Sequence, residues 1–372
     1  MNNSSAPSGA AGPACSVSVV IKALNEERNI AAAIQSALDG ISAVGGEVIL
    51  ADSCSSDQTI PLAMTFPIRI VQLLDPHERS CGIGPQLGYQ HSGGEFVYLL
   101  DGDMQLIGGF LEHAIAILHA RPELAGVGGG VVEMNTESLE YKRRHARASR
   151  SEEALIVDRL DGGGLYRRSA IESAGYFSDR NLHSYEEYDL ATRLRAAGWK
   201  LLRVPYGAAR HFGHDEPPYS LLVRRFRSQY IRGPGELIRA SFGQPRLPDV
   251  LRGLKELRLY LAVLIWWAVL ASVFFWPMVL GSRLALAAAI LVLPFSVMAW
   301  RKKSFAQARY AVASWCFHTV GLLLGLLQRQ RPPRERIATR ILREPHSRSA
   351  TFSMSAGTVQ KIDTLASKSV QA

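Results

Sequence analysis

From Leu259 to Leu280 the chain carries no charged residue, and Trp266, Trp267, Phe274, Phe275 and Trp276 make the stretch bulky and apolar throughout. A bilayer core is crossed by about 20 apolar residues of helix rising 1.5 Å each, so this run is long enough to span one. A second apolar run, Leu284 to Trp300, is shorter, contains Pro294 and is bounded by Arg283 and Arg301. The two read as a helical hairpin turning around Gly281 to Arg283. A third run, Tyr310 to Gln328, is weakened by His318, Gly321, Gly325 and Gln328, and reads as either a third span or an interfacial helix.

The net charge of +9 would suit a nucleic-acid binder, but its placement argues otherwise. Arg224, Arg225 and Arg227 precede the apolar runs, Arg301, Lys302 and Lys303 separate them, and Arg329 to Arg343 follow. These clusters lack the interleaved aromatics of a base-stacking surface, and they fit anionic membrane lipids and the positive-inside rule instead. A hairpin with basic flanks returns both ends to the cytoplasmic face of the inner membrane. Cys15, Cys54, Cys81 and Cys316 show no metal-binding or disulfide spacing, which fits a reducing compartment. The first fifteen residues lack a basic stretch followed by an apolar core, so they read as a disordered tail rather than a cleaved leader. Residues 241–258 read as a basic amphipathic linker, residues 259–328 as the membrane region and residues 329–372 as a basic, largely disordered tail.

Residues 16–240 alternate strands with helices. Val17 to Ile21, Glu47 to Ala51, Ile68 to Gln72 and Phe96 to Leu100 are short apolar or β-branched runs, the first two followed by polar loops and helical stretches. Such alternation predicts an α/β fold with a mostly parallel sheet and helices on both faces, where ligands bind beyond the carboxyl ends of the strands. The loops at Asn25, Asp52 and Asp101 all fall at such ends. Gly162 to Arg168 reads as a flexible loop, and Glu186 to Arg195 as a helix with acids in its first turn.

Asp101 and Asp103 flank a glycine where strand gives way to loop. Two carboxylates so spaced can face one hard cation and leave its other positions to phosphate oxygens and water. A polar turn would show the same residues, so the pair gains meaning only from its context. Asp52 can accept a hydrogen bond from a base edge such as uracil N3–H, with Asn25 and Glu26 lining the same nucleotide cleft.

Val19-Val-Ile-Lys-Ala-Leu-Asn-Glu-Glu27, Ala51-Asp-Ser-Cys-Ser-Ser-Asp57, Leu100-Asp-Gly-Asp103 and Glu186-Glu-Tyr-Asp-Leu190 with Arg193, in that order, resemble the family 2 glycosyltransferases. The resemblance runs from about Ser16 to Gly235. It implies the Rossmann-like GT-A fold, followed here by membrane helices, and an inverting, metal-dependent transfer from a nucleotide diphosphate sugar, usually of uridine, with Mg2+ or Mn2+. The acceptor it implies is a lipid-linked or polysaccharide glycan. Glu187 holds the position of the catalytic base, one methylene longer than the usual Asp. Asp103 is the expected direct metal ligand, Asp101 contacts ribose or the metal's water shell, and His211 is a late metal ligand with His214 a lesser candidate. Gly163, Gly164, Glu186, Asp189, Gln229 and Arg232 are expected on the acceptor or diphosphate side. Gln229 and Arg232 match a Gln-x-x-Arg-Trp motif in which Gly233 replaces the tryptophan, and Pro85-Gln86 replaces the usual Arg-Asn. These departures leave open an alternative, an inactive glycosyltransferase-like scaffold in envelope polysaccharide assembly.

Overall fold

In β1 (Val17–Ala23), Val17, Val19, Ile21 and Ala23 enter one hydrophobic cluster while Val20 enters another on the opposite face. In β4 (Phe96–Asp101), Phe96, Tyr98 and Leu100 likewise face away from Val97 and Leu99. A strand covered on both faces is apolar at nearly every position, which is why these runs read as near-continuous rather than alternating. Each fully buried Val, Leu or Ile side chain contributes about 1.5–3 kcal/mol by leaving water. The computed structural model describes residues 17–134, 153–160, 162–213 and 216–345.

Among these residues a ten-stranded sheet runs in the order β10, β3, β2, β1, β4, β8, β6, β9, β5, with β7 paired to β9. Its parallel half comprises β1, β2 (Gly46–Asp52), β3 (Arg69–Leu73) and β4, with α1 (Ile30–Ser42), α2 (Thr59–Ala63) and α3 (Ile83–Gln90) in the connections. The register sets Ala23 beside Asp52 and Lys22 beside Asp101, so the acidic strand ends fall in one row. The second half holds β5 (Met104–Leu106), α4 (Phe110–Ala120), β6 (Leu124–Glu133), β7 (Leu155–Val157), β8 (Gly164–Arg167), α5 (Arg168–Ser173), α6 (Glu186–Ala196) and β9 (Lys200–His211). β9 pairs with β5 antiparallel and with β6 in parallel, which brings His211 opposite both Met104 and Glu133.

Several sequence expectations change. Gly164 to Arg167, expected within a flexible loop, are strand β8, because the segment pairs antiparallel with both β4 and β6. The segment expected as a linker, residues 241–258, contains α9 (Leu247–Gly253) and the buried Arg246; α7 (Pro218–Arg227) and α8 (Gly233–Ala240) stand before it. α10 (Leu257–Ser272), extended to Phe275 by a turn of 3₁₀ helix, α11 (Leu280–Lys302) and α12 (Phe305–Leu327) are long and apolar enough to cross a membrane. The first turn between them falls at Trp276 to Val279, not at Gly281 to Arg283, because Pro277 drives Trp276 to extended backbone with ψ 143°. Residues 339–343, expected in a disordered tail, form β10 (Thr339–Arg343), antiparallel to β3. That strand satisfies an edge that would otherwise present unpaired backbone groups. The expected tails at residues 1–15 and from 346 onward lie outside the described residues.

Candidate active site

The loops after β1 and β2 are laced together. Asn25 adopts a left-handed backbone with φ 58°, tolerable for Asn, and its Oδ1 accepts from the Ser56 amide at 2.8 Å. The Asn25 amide donates to Ser55 Oγ at 2.8 Å and the Glu26 amide to Thr59 Oγ1 at 2.7 Å. Asn25 therefore builds the wall of the cleft with its side chain already engaged. Asp52 is fully buried at the base of that wall. Its Oδ2 accepts from the Ser55 amide and Gln72 Nε2, both at 2.9 Å, while its buried Oδ1 has no hydrogen-bond partner. An orphaned buried carboxylate oxygen is costly unless a ligand supplies the donor, and a pyrimidine or purine N–H fits that need.

Glu26 lies against the glycine of the Asp-Gly-Asp turn: a Cβ on Gly102 would stand 2.8 Å from Glu26 Cγ. Only glycine lets the loops approach so closely. Burial, then the charges of Asp103 and Asp101, push the Glu26 carboxyl up to about 8. The Asp101 carboxyl is also raised, first by burial, with Lys22 opposing and Asp103 reinforcing the shift. Glu26, Asp101 and Asp103 thus crowd one another at the strand ends, with Lys22 the cation beside them.

His211 adds a ring nitrogen. Its Nε2 lies 3.2 Å from Asp103 Oδ2 and its Nδ1 2.6 Å from Glu133 Oε2. Burial pulls its pKa down, but the hydrogen bonds and charges of Asp103 and Glu133 outweigh it and raise the group to about 9. Asp103, Asp101 and His211 are hard oxygen and imidazole donors that suit a divalent cation. Among the described residues no three such side chains close around one point as a complete cage. Mg2+ commonly binds in this way, through one or two carboxylates with substrate phosphates filling the rest.

Lys22 links the two halves of the site and was not expected from sequence. Its Nζ lies 3.2 Å from Asp101 Oδ1 and 3.1 Å from Glu186 Oε1. Burial alone would depress it, but Asp101 and Glu186 outweigh that and hold it well above the usual lysine value. Glu186 and Glu187 open α6, whose preceding residue Tyr185 is left-handed at φ 68°. Glu187 Oε1 would be 3.8 Å from a Cβ on Gly162, so the glycine loop lies beside the expected base. Gly163 takes φ +81°, and a Cβ on Gly164 would be 3.0 Å from Leu160 and Tyr166. The positive φ at the first and the close approach at the second favour glycine at both positions.

Three other expected residues are engaged by partners within the fold. Asp189 is fully buried, with Arg193 Nε 2.8 Å from its Oδ2 and Arg246 Nη1 2.5 Å from its Oδ1. It fastens α6 from behind. Arg232 Nη1 donates to Gln229 Oε1 at 2.8 Å and to Gln328 Oε1 at 2.9 Å, so this pair ties the chain to the end of α12. A Cβ on Gly233 would stand 1.9 Å from Ser184 Oγ, which explains why no tryptophan occupies that position. Gln86 Oε1 accepts from the Phe177 and Ser178 amides at 3.1 and 2.9 Å, a structural use of the altered Pro85-Gln86 pair. His214 lies outside the described residues.

A parallel sheet with acidic loops at its strand ends, an Asp-Gly-Asp turn and a facing acidic helix define a glycosyltransferase of the GT-A class. Residues 18–175 match the model for Glycosyl transferase family 2, so this stretch carries a domain of that family. The mannosyltransferase PcManGT from Pyrobaculum calidifontis, solved with GDP-Man and Mn2+, shares the fold at 17% identity and TM-score 0.52, over 85% of this chain and 88% of its own. S. aureus TarS 1–349, solved with UDP-GlcNAc, aligns at 14% identity and TM-score 0.46, over 83% of this chain and 90% of its own. The chain spans 44% of the longer S. aureus TarS chain, with 61% of itself covered, at 15% identity and TM-score 0.44. No curated protein matches the chain.

Proposed function

We propose that this glycosyltransferase moves a sugar from a nucleotide diphosphate sugar, by our reading of Asp52 a uridine one, to a hydroxyl of a lipid-linked or polysaccharide acceptor. Transfer inverts the anomeric carbon and takes place at the cytoplasmic face of the inner membrane. The observation that carries this reading is the row of Asp52, Asp101 and Asp103 at adjacent loops, joined through Lys22 to the acidic start of α6. Asp52 Oδ1 receives the base edge, and Asp101 lies on the ribose side. Mg2+ or Mn2+, held by Asp103 and His211, would neutralise charge on the departing diphosphate as a Lewis acid. The Mn2+ in the PcManGT complex supports that assignment by fold alone. Glu187 takes the proton from the acceptor hydroxyl as its oxygen attacks the face opposite the diphosphate, so no covalent enzyme intermediate forms.

The test uses the full chain in lipid nanodiscs with a panel of UDP- and GDP-sugars and membrane-extracted acceptors. Release of nucleoside diphosphate should require acceptor and Mg2+ or Mn2+, and should stop with a chelator. Asp103→Ala and Glu187→Gln should each lower the rate by ~100-fold or more, the scale of a lost general base. NMR of the new linkage should show the inverted anomer. Full activity in both variants would overturn the mechanism.

A further inference from the structure

The chain enters its apolar helices from the catalytic domain and returns to the same domain after them. On entry, Glu256 accepts a hydrogen bond from Tyr185, the residue before α6, and Tyr260 packs with Leu182 and Leu237. On exit, Gln328 accepts from Arg232, the Arg331 amide donates to Asn181 Oδ1 at 2.8 Å, and β10 joins the catalytic sheet beside β3. A polar folded domain occupies one side of a bilayer, so the segment between these anchors must cross an even number of times. Three helices in that segment are long and apolar enough to cross. All three cannot do so.

The helix that stays on the catalytic side is α12. One face of α12 is lined along its length by elements of the domain, while α10 and α11 pack against another. Tyr219 and Phe226 of α7 meet Tyr310 and Phe317 edge to face, each pair at 5.2 Å between ring centroids. Both contacts advance seven residues, so α7 runs alongside α12 in the same direction. Further along, a Cβ on Gly321 would be 2.5 Å from the Ile231 carbonyl and one on Gly325 2.2 Å from that of Arg232. If α12 crossed the bilayer, it would carry α7 into hydrocarbon with Arg224, Arg225 and Arg227, a placement that intramembrane charges tolerate only inside a bundle or wet cavity. Arg224 instead has 58% of its side chain exposed. The turn between α11 and α12 carries Arg301, Lys302 and Lys303, whereas the turn between α10 and α11 is Trp276-Pro-Met-Val279. That asymmetry puts the former with the catalytic domain and the latter across the membrane.

We propose that α10 and α11 cross the bilayer as a hairpin while α12 lies along the cytoplasmic surface, and that the arginine face of α7 rests on the phosphates of anionic lipid headgroups. Basic amphipathic elements bind such surfaces by charge and apolar contact together. The arrangement goes beyond the proposed activity, and its test reads topology, so the two fail independently.

Val279→Cys, Lys302→Cys and Arg329→Cys replace exposed residues at the first turn, the second turn and the exit. Each full-length variant, in sealed right-side-out and inverted vesicles, is treated with a membrane-impermeant maleimide. Modification is read site by site by peptide mass spectrometry, so the native cysteines stay. Lys302→Cys and Arg329→Cys should label from the same face, and Val279→Cys from the opposite one. Labelling of 302 and 329 from opposite faces would show that α12 crosses, and labelling of 279 together with 329 would show that the hairpin does not; either result overturns the proposal. Lys303→Cys with Gln330→Cys repeats the comparison if a first variant does not accumulate. In wild-type protein, replacing anionic with zwitterionic lipid should increase tryptic cleavage after Arg224 and Arg227, and equal cleavage would remove the headgroup contact.

Discussion

Replacing Asp189 with Asn separates a catalytic acid from a structural one. Asp189 is fully buried and pairs with Arg193 and Arg246, whose side chains are 8% and 6% exposed. The substitution keeps the shape but leaves two buried guanidiniums facing a neutral amide. Breaking one buried pair costs about 3–5 kcal/mol, and the amide oxygen still accepts one hydrogen bond, so about 4 kcal/mol is expected. At roughly 2–4 °C per kcal/mol for a domain of this size, the melting midpoint should fall by about 10 °C. Tryptophan fluorescence during heating in detergent reads that midpoint, with the partly exposed Glu187→Gln as control, expected within about 0.5 kcal/mol of the parent. Asp189→Asn combined with Arg246→Met should cost less than the sum of the single changes, by about 1–3 kcal/mol, because each single change strands the other partner. If Asp189→Asn melts with the parent and yet loses transfer, Asp189 works in the cleft and the structural assignment is wrong.

Asp52→Asn should turn an amide donor toward the base edge and weaken nucleoside diphosphate binding by about 10–100-fold, the worth of about 1.4–3 kcal/mol for one buried polar mismatch; unchanged affinity by calorimetry would move the base elsewhere. Glu26 has a folded pKa of about 8 against an ordinary 4.5. A raised acid destabilises the fold above its ordinary pKa, and the penalty is complete once the pH passes the folded value. With chelator present, Glu26→Gln should therefore melt above the parent at pH 8.5, and the gap should close as the pH falls toward 4.5; a gap independent of pH refutes the charge crowding. Gly233→Trp, which restores the letter of the Gln-x-x-Arg-Trp pattern, should lower the melting midpoint without lengthening products, since its Cβ would strike Ser184; longer products on a size-separating gel would contradict this.

The parallel half of the sheet was legible because its strands are apolar at consecutive positions and end in Asn25, Asp52 and Asp101, a local pattern that one sequence displays whole. Lys22 was not, although its signal was present: a lone charge inside a strand buried on both faces needs a partner. Here it has two, Asp101 and Glu186. Glu133 escaped notice because only the pairing of β6 with β9 carries it to His211. Asp189 looked functional because an acid in a first helical turn suits both the macrodipole and catalysis, and the partner that decides the matter, Arg246, lies 57 residues away. β10 was invisible for another reason. Five residues rich in arginine have little strand character until β3 offers them an edge.

That strand has a consequence for how the protein is made. β10 follows the apolar helices in the chain, as do the exit contacts of Gln328 and Arg331, while Arg246 and Glu256 stand just before them. A ribosome must therefore make α10, α11 and α12 before the sheet can receive its last strand, and until then β3 keeps an open edge. The catalytic sheet is thus closed by residues made after the apolar helices, and a fragment cut near residue 240 would lack β10 and leave β3 with an open edge.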